Sequence, residues 1–265
     1  MSIKLKYFPE GKTKALTMSY DDGCKFDRRL VEIFNTYGIK GSFHLNAGQL
    51  GASDWYLSEE EISELFRGHE VSAHSYTHPN FWLNTKMGIV NEMLEDRRKL
   101  EKLVGYPVRG MSYPFGIYDD RVQEILPAVG IEYARTVNST NHFDLPKNYL
   151  QWNPTCHHKG ELMEKAKSFL EDGGIIRKVF YVWGHSFEFN SDNNWELIEE
   201  FCRLVGGKDD VWYATNIEIV DYVNALDNLR VSVDETMIYN PGAIPVWVEL
   251  DDKMIKILPG ETVSQ

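Results

Sequence analysis

His74 and His78 are separated by three residues and followed at once by Pro79, a spacing that lets two imidazoles reach one cation from a helix or from a loop leaving a strand. The proline favours the loop. A carboxylate oxygen is the natural third donor for such a pair, and Asp21-Asp22-Gly23 offers two carboxylates. Adjacent aspartates on an extended chain point to opposite sides, but at a strand-to-turn corner both can face one pocket, one as a metal ligand and the other as a base. His185, in Val182-Trp183-Gly184-His185-Ser186, titrates near neutrality and suits general acid work. Each feature also has an ordinary structural explanation. Histidines sit on surfaces or in buried hydrogen-bonded roles, and Asp-Asp-Gly is a favourable turn. Cys156-His157-His158 suggests a second metal site, yet consecutive ligands seldom converge on one ion.

What must position these residues is a set of short β-branched and apolar runs alternating with helical periodicity, the pattern of a parallel sheet wrapped by helices. Strands are predicted at 15–20, 41–45, 70–74, 108–113, 133–137, 179–183 and 212–214, and helices near 26–37, 58–67, 85–104, 119–129, 162–170 and 195–205. Ser58 and Glu61 resemble a capping box, and Gly105 marks a helix stop. Asp21-Asp22, His74 to His78, Tyr113-Pro114-Phe115-Gly116 and His185 then all fall at C-terminal strand ends, where parallel α/β folds build their sites. Beyond residue 224 the pattern changes to strand-like runs at 229–233, 244–250 and 254–258. The division expected is therefore a main α/β domain over 1–224 and a small β appendage over 225–265, too short for a comfortable core of its own and packed on the first.

Composition narrows the function classes. With 265 residues, 43% hydrophobic and 26% charged, the chain reads as an ordinary globular protein. A formal net charge of −12 argues against nucleic-acid or anionic-membrane partners, which need clustered cations. No signal-peptide run follows Met1, and no stretch of about 18 apolar residues occurs. The three cysteines, Cys24, Cys156 and Cys202, lack CxxC spacing, so the reading is of reduced thiols in a cytoplasmic protein.

Ser19-Tyr20-Asp21-Asp22-Gly23 resembles the first signature of the polysaccharide deacetylases (NodB-homology domains, family 4 carbohydrate esterases), written T-F-D-D-G, and His74-Ser75-Tyr76-Thr77-His78 matches the second, H-[ST]-x-x-H. Pro114-Phe115-Gly116 is similar to the end of the third, R-x-P-[YF]-G, and His185 stands where the family's last catalytic histidine is expected. The resemblance implies a distorted (β/α) barrel of seven or eight strands. It further implies that Asp22, His74 and His78 hold a divalent metal, zinc most often, with cobalt, nickel or manganese as other choices. Asp21 would be the base and His185 the acid in removing acetyl from an N-acetylated or O-acetylated sugar, with the backbone N–H of Tyr113 an oxyanion donor. Tyr113, Pro114, Phe115, Trp152 and Trp183 are the substrate-binding candidates.

Two departures stand out. Ser112 replaces the arginine that in the family orients the catalytic aspartate; Arg135, at a strand end, is the favoured substitute over Arg109, which begins its strand. The acidic-and-Trp fourth motif is not evident in Gln151 to His158, where Trp152 is offered as a wall of the substrate site. Two other functions compete: a deformylase or amidase acting on a small substrate with the same fold, and a non-catalytic carbohydrate-binding barrel. The joint presence of Asp21, Asp22, His74, His78 and His185 weighs against the last, since a binding module needs no metal, base and acid together.

Overall fold

The computed structural model describes residues 3–264. In chain order the elements are β1 (Ile3–Lys4), β2 (Lys14–Asp21), α1 (Asp27–Thr36), β3 (Gly41–Leu45), α2 (Ile62–Leu65), β4 (Glu70–Ala73), α3 (Lys86–Val104), β5 (Gly110–Ser112), α4 (Asp120–Ile125), β6 (Tyr133–Arg135) and β7 (Cys156–His157). They continue with α5 (Leu162–Glu171), β8 (Lys178–Gly184), α6 (Ser186–Ser191), α7 (Trp195–Val205), β9 (Val211–Tyr213), α8 (Asn216–Asp227), β10 (Arg230–Val231), β11 (Met237–Tyr239), β12 (Val246–Leu250), β13 (Lys253–Ile257) and β14 (Thr262–Ser264).

The main sheet is parallel and runs β6-β5-β4-β3-β2-β8-β7, with β9 pairing to the N-terminal half of β2. It curls back on itself. Trp152 bridges to Arg135 at the β6 edge while Cys156 and His157 pair with β8, so residues 152–157 lean on both edges and complete a distorted barrel. Period-two alternation assigns the faces. On β2, Leu16, Met18 and Tyr20 join the core under the surrounding helices, whereas Thr17, Ser19 and Asp21 are buried polar residues of the opposite face.

That inner face is polar, and its buried carboxylate at Glu70 is fully engaged. The buried Glu70 carboxylate accepts from the hydroxyls of Ser42 (2.6 Å), Ser72 (2.7 Å) and Tyr133 (2.7 Å) and from the Ile217 N–H (3.0 Å). Because Ile217 lies in the first turn of α8, the same carboxylate docks that helix at the N-terminal ends of β3 and β4, away from the strand ends that carry the motifs. A capping box between Thr215 and Glu218 starts α8. The helix was not expected from periodicity; the Thr-x-x-Glu spacing was the signal available.

Residue 224, where the sequence pattern changes, lies inside α8. Beyond it are two small antiparallel sheets, β10-β11-β14 and β1-β12-β13, so the N-terminal strand joins the C-terminal ones. Val246, Val248, Leu250 and Ile257 share a core with Tyr222, Val223 and Leu226 of α8, and the Trp247 N–H donates to the Tyr222 hydroxyl at 3.0 Å. No helix among the described residues is long and apolar enough to cross a membrane.

Candidate active site

Asp21 is the last residue of β2 on its inner face, and the backbone then swings into the left-handed region at Asp22 (φ 80°) and Gly23 (φ 65°). This reversal is why two adjacent carboxylates reach the same opening: Asp21 from within the barrel, almost fully buried, and Asp22 from its rim. Ser75 (φ 64°), His78 (φ 59°) and Phe115 (φ 57°) adopt the same conformation around the opening. Each costs a non-glycine residue about 1–2 kcal/mol, and such strain clusters where packing holds functional side chains in place.

Asp22, His74 and His78 converge. The Asp22 Oδ1 atom lies 3.6 Å from His74 Nε2 and 3.8 Å from His78 Nε2, and the two nitrogens are 3.2 Å apart. A point equidistant from the corners of that triangle is about 2.1 Å from each, the length of zinc–nitrogen and zinc–oxygen bonds. The tautomer also suits a metal. His74 Nδ1 sits 2.8 Å from the Ser112 carbonyl, an obligate acceptor, so Nδ1 carries the proton and Nε2 presents its lone pair. Burial and then the neighbouring His74 lower His78 to about 4, which keeps that ring neutral as well.

His74 is pinned on three sides. Its N–H donates to Asp96 Oδ2 at 2.9 Å, its carbonyl accepts from the Asn46 amide, and its ring is held by Ser112. Asp96, on α3, also accepts the Ala47 N–H at 2.7 Å and is fully buried. Asp96→Ala would strand the buried Ala47 N–H, at about 1–3 kcal/mol, and leave the His74 N–H with only the Leu45 carbonyl at 3.0 Å. The expected result is a thermal midpoint lowered by about 5 °C with weakened metal binding, read by calorimetry with and without added zinc.

Asp21 is held by different partners. Arg135 Nη2 pairs with its Oδ2 while the Ser112 hydroxyl donates to Oδ1 at 3.0 Å; both Arg135 and Asp21 are buried. Burial alone would push the carboxyl up, but the Arg135 guanidinium outweighs it and, with His74 and His44, holds Asp21 well below the usual carboxylate range. Ser112 and Arg135 are register partners on β5 and β6, so the guanidinium has moved across one strand and still reaches Asp21. Arg109 is elsewhere, paired with Glu132 and Asp221. His44, which sequence reasoning did not single out, is fully buried beneath the site, its Nε2 3.4 Å from the Ser19 hydroxyl.

Glu188 was also missed. His185 Nε2 lies 3.9 Å from Asp22 Oδ2, and its Nδ1 lies 3.3 Å from Glu188 Oε2, which accepts the His185 backbone N–H as well. His157 Nε2 reaches the same oxygen at 3.0 Å, while Lys159 Nζ lies 3.3 Å from Oε1. The signal in sequence was local: Glu188 is the third residue of α6 and closes a capping box with His185. Burial lowers His185, but its bond to Glu188 and the charges of Asp21 and Asp22 outweigh this and raise it. His157, His185 and Glu188 could also hold a cation, without Cys156. The Lys159 ammonium already supplies positive charge to Glu188, so a second ion is not needed for balance.

The cleft at this end has a volume of about 410 Å³ and is lined by Asp21, Asp22, His74, His78 and His185 together with Tyr113, Phe115, Gly116, Val137 and Trp183. Phe115 is 62% exposed and meets the His78 ring edge-on at 4.4 Å, and Trp183 lies under the Arg135 guanidinium at 4.3 Å. Two substrate-binding expectations need correction. Trp152 is buried among Tyr133, Tyr149 and Tyr181 and does not line the cleft, because its backbone closes the barrel and turns the indole into the interior. Pro114 is buried and is not among the residues that line the cleft. The Tyr113 N–H is not available for an oxyanion either, since it donates to the Arg135 carbonyl at 3.1 Å; the Tyr113 hydroxyl donates to the Leu150 carbonyl.

Residues 9–134 match the polysaccharide deacetylase family. Over 126 residues, 46% of this chain, it is 25% identical to the peptidoglycan-N-acetylglucosamine deacetylase of Listeria monocytogenes, and the match covers 26% of that protein. Chitin deacetylase 1 of Cryptococcus neoformans var. grubii is 28% identical over 115 residues, 43% of this chain and 24% of its own length. The chain thus spans about a quarter of these curated relatives. Among solved structures, a Mycobacterium smegmatis protein assigned as a polysaccharide deacetylase superposes with a TM-score of 0.66 at 17% identity, covering 86% of this chain and 96% of that one. At that identity the likeness speaks for the fold alone, and it covers more of the chain than the matched segment does.

Proposed function

We propose that this chain is a metal-dependent hydrolase that removes an acetyl group from an N-acetylated or O-acetylated sugar. One observation carries the reading: a two-histidine, one-carboxylate donor set of zinc dimensions opens into the same cleft as a buried carboxylate held by Arg135. A divalent cation held by Asp22, His74 and His78 would supply Lewis-acid polarisation of the acetyl carbonyl and acidify the attacking water. The remaining work falls to side chains. Asp21, its oxygens oriented by Ser112 and Arg135, takes the water proton. His185 gives a proton from Nε2 to the departing amine or hydroxyl, its ring orientation fixed by Glu188 at Nδ1. Phe115 and Trp183 present apolar surface to the sugar. Phe115 lines the cleft, and its N–H takes the oxyanion role in this reading because that of Tyr113 is bonded to the Arg135 carbonyl.

The test is metal analysis of the purified protein followed by acetate release from a panel of N-acetylated, O-acetylated and N-formylated substrates. One equivalent of divalent metal is expected, lost in His78→Ala and Asp22→Ala. A protein that binds no metal, or that releases formate and no acetate, would refute the proposal. Glu188→Gln removes the charge behind His185 but little volume. We expect kcat to fall about 10–100-fold with KM and metal content nearly unchanged; an unaltered kcat would remove Glu188 from the machinery.

A further inference from the structure

We infer that Trp55 and Phe187 form a second carbohydrate platform outside the cleft, binding a neighbouring sugar ring of an oligomeric substrate; this rests on the reading of the cleft as a sugar deacetylase site. The cleft ends at His185, and aromatic surface continues from there. The Phe187 ring, on α6, lies 5.2 Å from that of His185, and Trp55 lies 5.7 Å from Phe187. Trp55 is 41% exposed, whereas the indole of Trp152 is enclosed.

An exposed indole on a loop is ordinarily free to move, but this one is fastened by its backbone. The Trp55 carbonyl accepts the Lys25 N–H at 2.8 Å, the Leu57 N–H donates to the Gly23 carbonyl at 3.0 Å, and Cys24 bridges to Tyr56. Residues 55–57 are therefore tied to the turn that carries Asp22, and the position of the indole is set by the metal-site backbone. Phe26 supports it edge-on at 5.6 Å. The Lys25 ammonium lies 5.5 Å from the Phe26 ring and 5.9 Å from the Trp55 ring, and it makes no ion pair within 4.0 Å among the described residues. A partly exposed apolar ring with an ammonium donor over it matches a pyranose, which presents axial C–H groups to an aromatic ring and hydroxyls to polar donors. Continuity through Phe187 to His185 places this surface beside the departing amine, so its occupant is the next sugar along the chain.

The experiment measures binding of an N-acetylglucosamine tetramer and of the monomer to full-length, zinc-loaded chain carrying Asp21→Asn, with and without Trp55→Ala, by calorimetry. Acetate release from p-nitrophenyl acetate is measured in parallel on the chain with Asp21 intact. Trp55→Ala is expected to weaken the tetramer about five- to tenfold and leave the monomer and the small ester unchanged. Trp55→Phe should recover most of the tetramer affinity. Equal tetramer affinity with and without Trp55, equal loss for monomer and tetramer, or no tetramer binding at all would each overturn the platform. Acetate release with Trp55-independent binding removes the platform alone, whereas Trp55-dependent binding without acetate release removes the hydrolase reading and leaves the platform standing.

Discussion

Asp21→Asn is expected to keep its metal and lose acetate release by about 10²–10⁴-fold. The substitution suits the site. An amide oxygen can still accept from Arg135, and the amide NH₂ can face the Ser112 hydroxyl, which accepts as readily as it donates. What is lost is the ability to take a proton from water. Metal content by mass spectrometry should match the parent protein, because the donor triangle uses Asp22 and not Asp21. Activity above about one tenth of the parent would exclude Asp21 as the base.

The second large effect concerns Arg135. Both members of the Arg135–Asp21 pair are buried, so Arg135→Ala leaves a carboxylate in the barrel with no compensating charge, a change that costs about 3–5 kcal/mol. The thermal midpoint should drop by about 10 °C and activity should fall more than 100-fold, read by calorimetry and acetate release. Arg135→Lys should recover stability only in part, since an ammonium can pair with Asp21 but cannot lie flat on Trp183 as the guanidinium does. Because Ser112 and Arg135 are register partners facing the same interior, Ser112→Arg added to Arg135→Ser should restore some of the activity lost in Arg135→Ser alone. Wild-type stability and turnover in Arg135→Ala would show the pair to be dispensable.

These two expectations differ in how far they could be read from residues alone. That Asp21 and Asp22 could divide their labour was legible, since at a strand-to-turn corner two adjacent carboxylates can reach one pocket; which of them takes which role came from the resemblance. The strands and the long helices were legible for the same reason: the period-two alternation of β2 and the cap signals at Ser58 and Gly105 are local. Arg135 could be named as a candidate from its strand-end position. Its pairing with Asp21 depends on β5 and β6 lying side by side in one register, which no local pattern encodes.

Where expectation failed, the reason was long-range packing. Trp152 looked like a wall of the substrate site because it follows the right stretch of chain, yet residues 152–157 close the barrel and the indole is spent on the interior. The Tyr113 N–H was counted as free, but the neighbouring strand takes it.

The residue types and spacings of this chain by themselves determined the α/β class, the strand ends that carry Asp21, Asp22, His74, His78 and His185, and the chemistry those groups can perform, because all of these follow from contacts within a few residues. Only the tertiary structure decided that three donor atoms meet around one point, that Arg135 rather than Arg109 faces Asp21, and that Glu188 and Trp55 belong beside His185. Those facts depend on which strands and loops become neighbours when the sheet curls, and the side chains that meet are up to 163 residues apart in the chain.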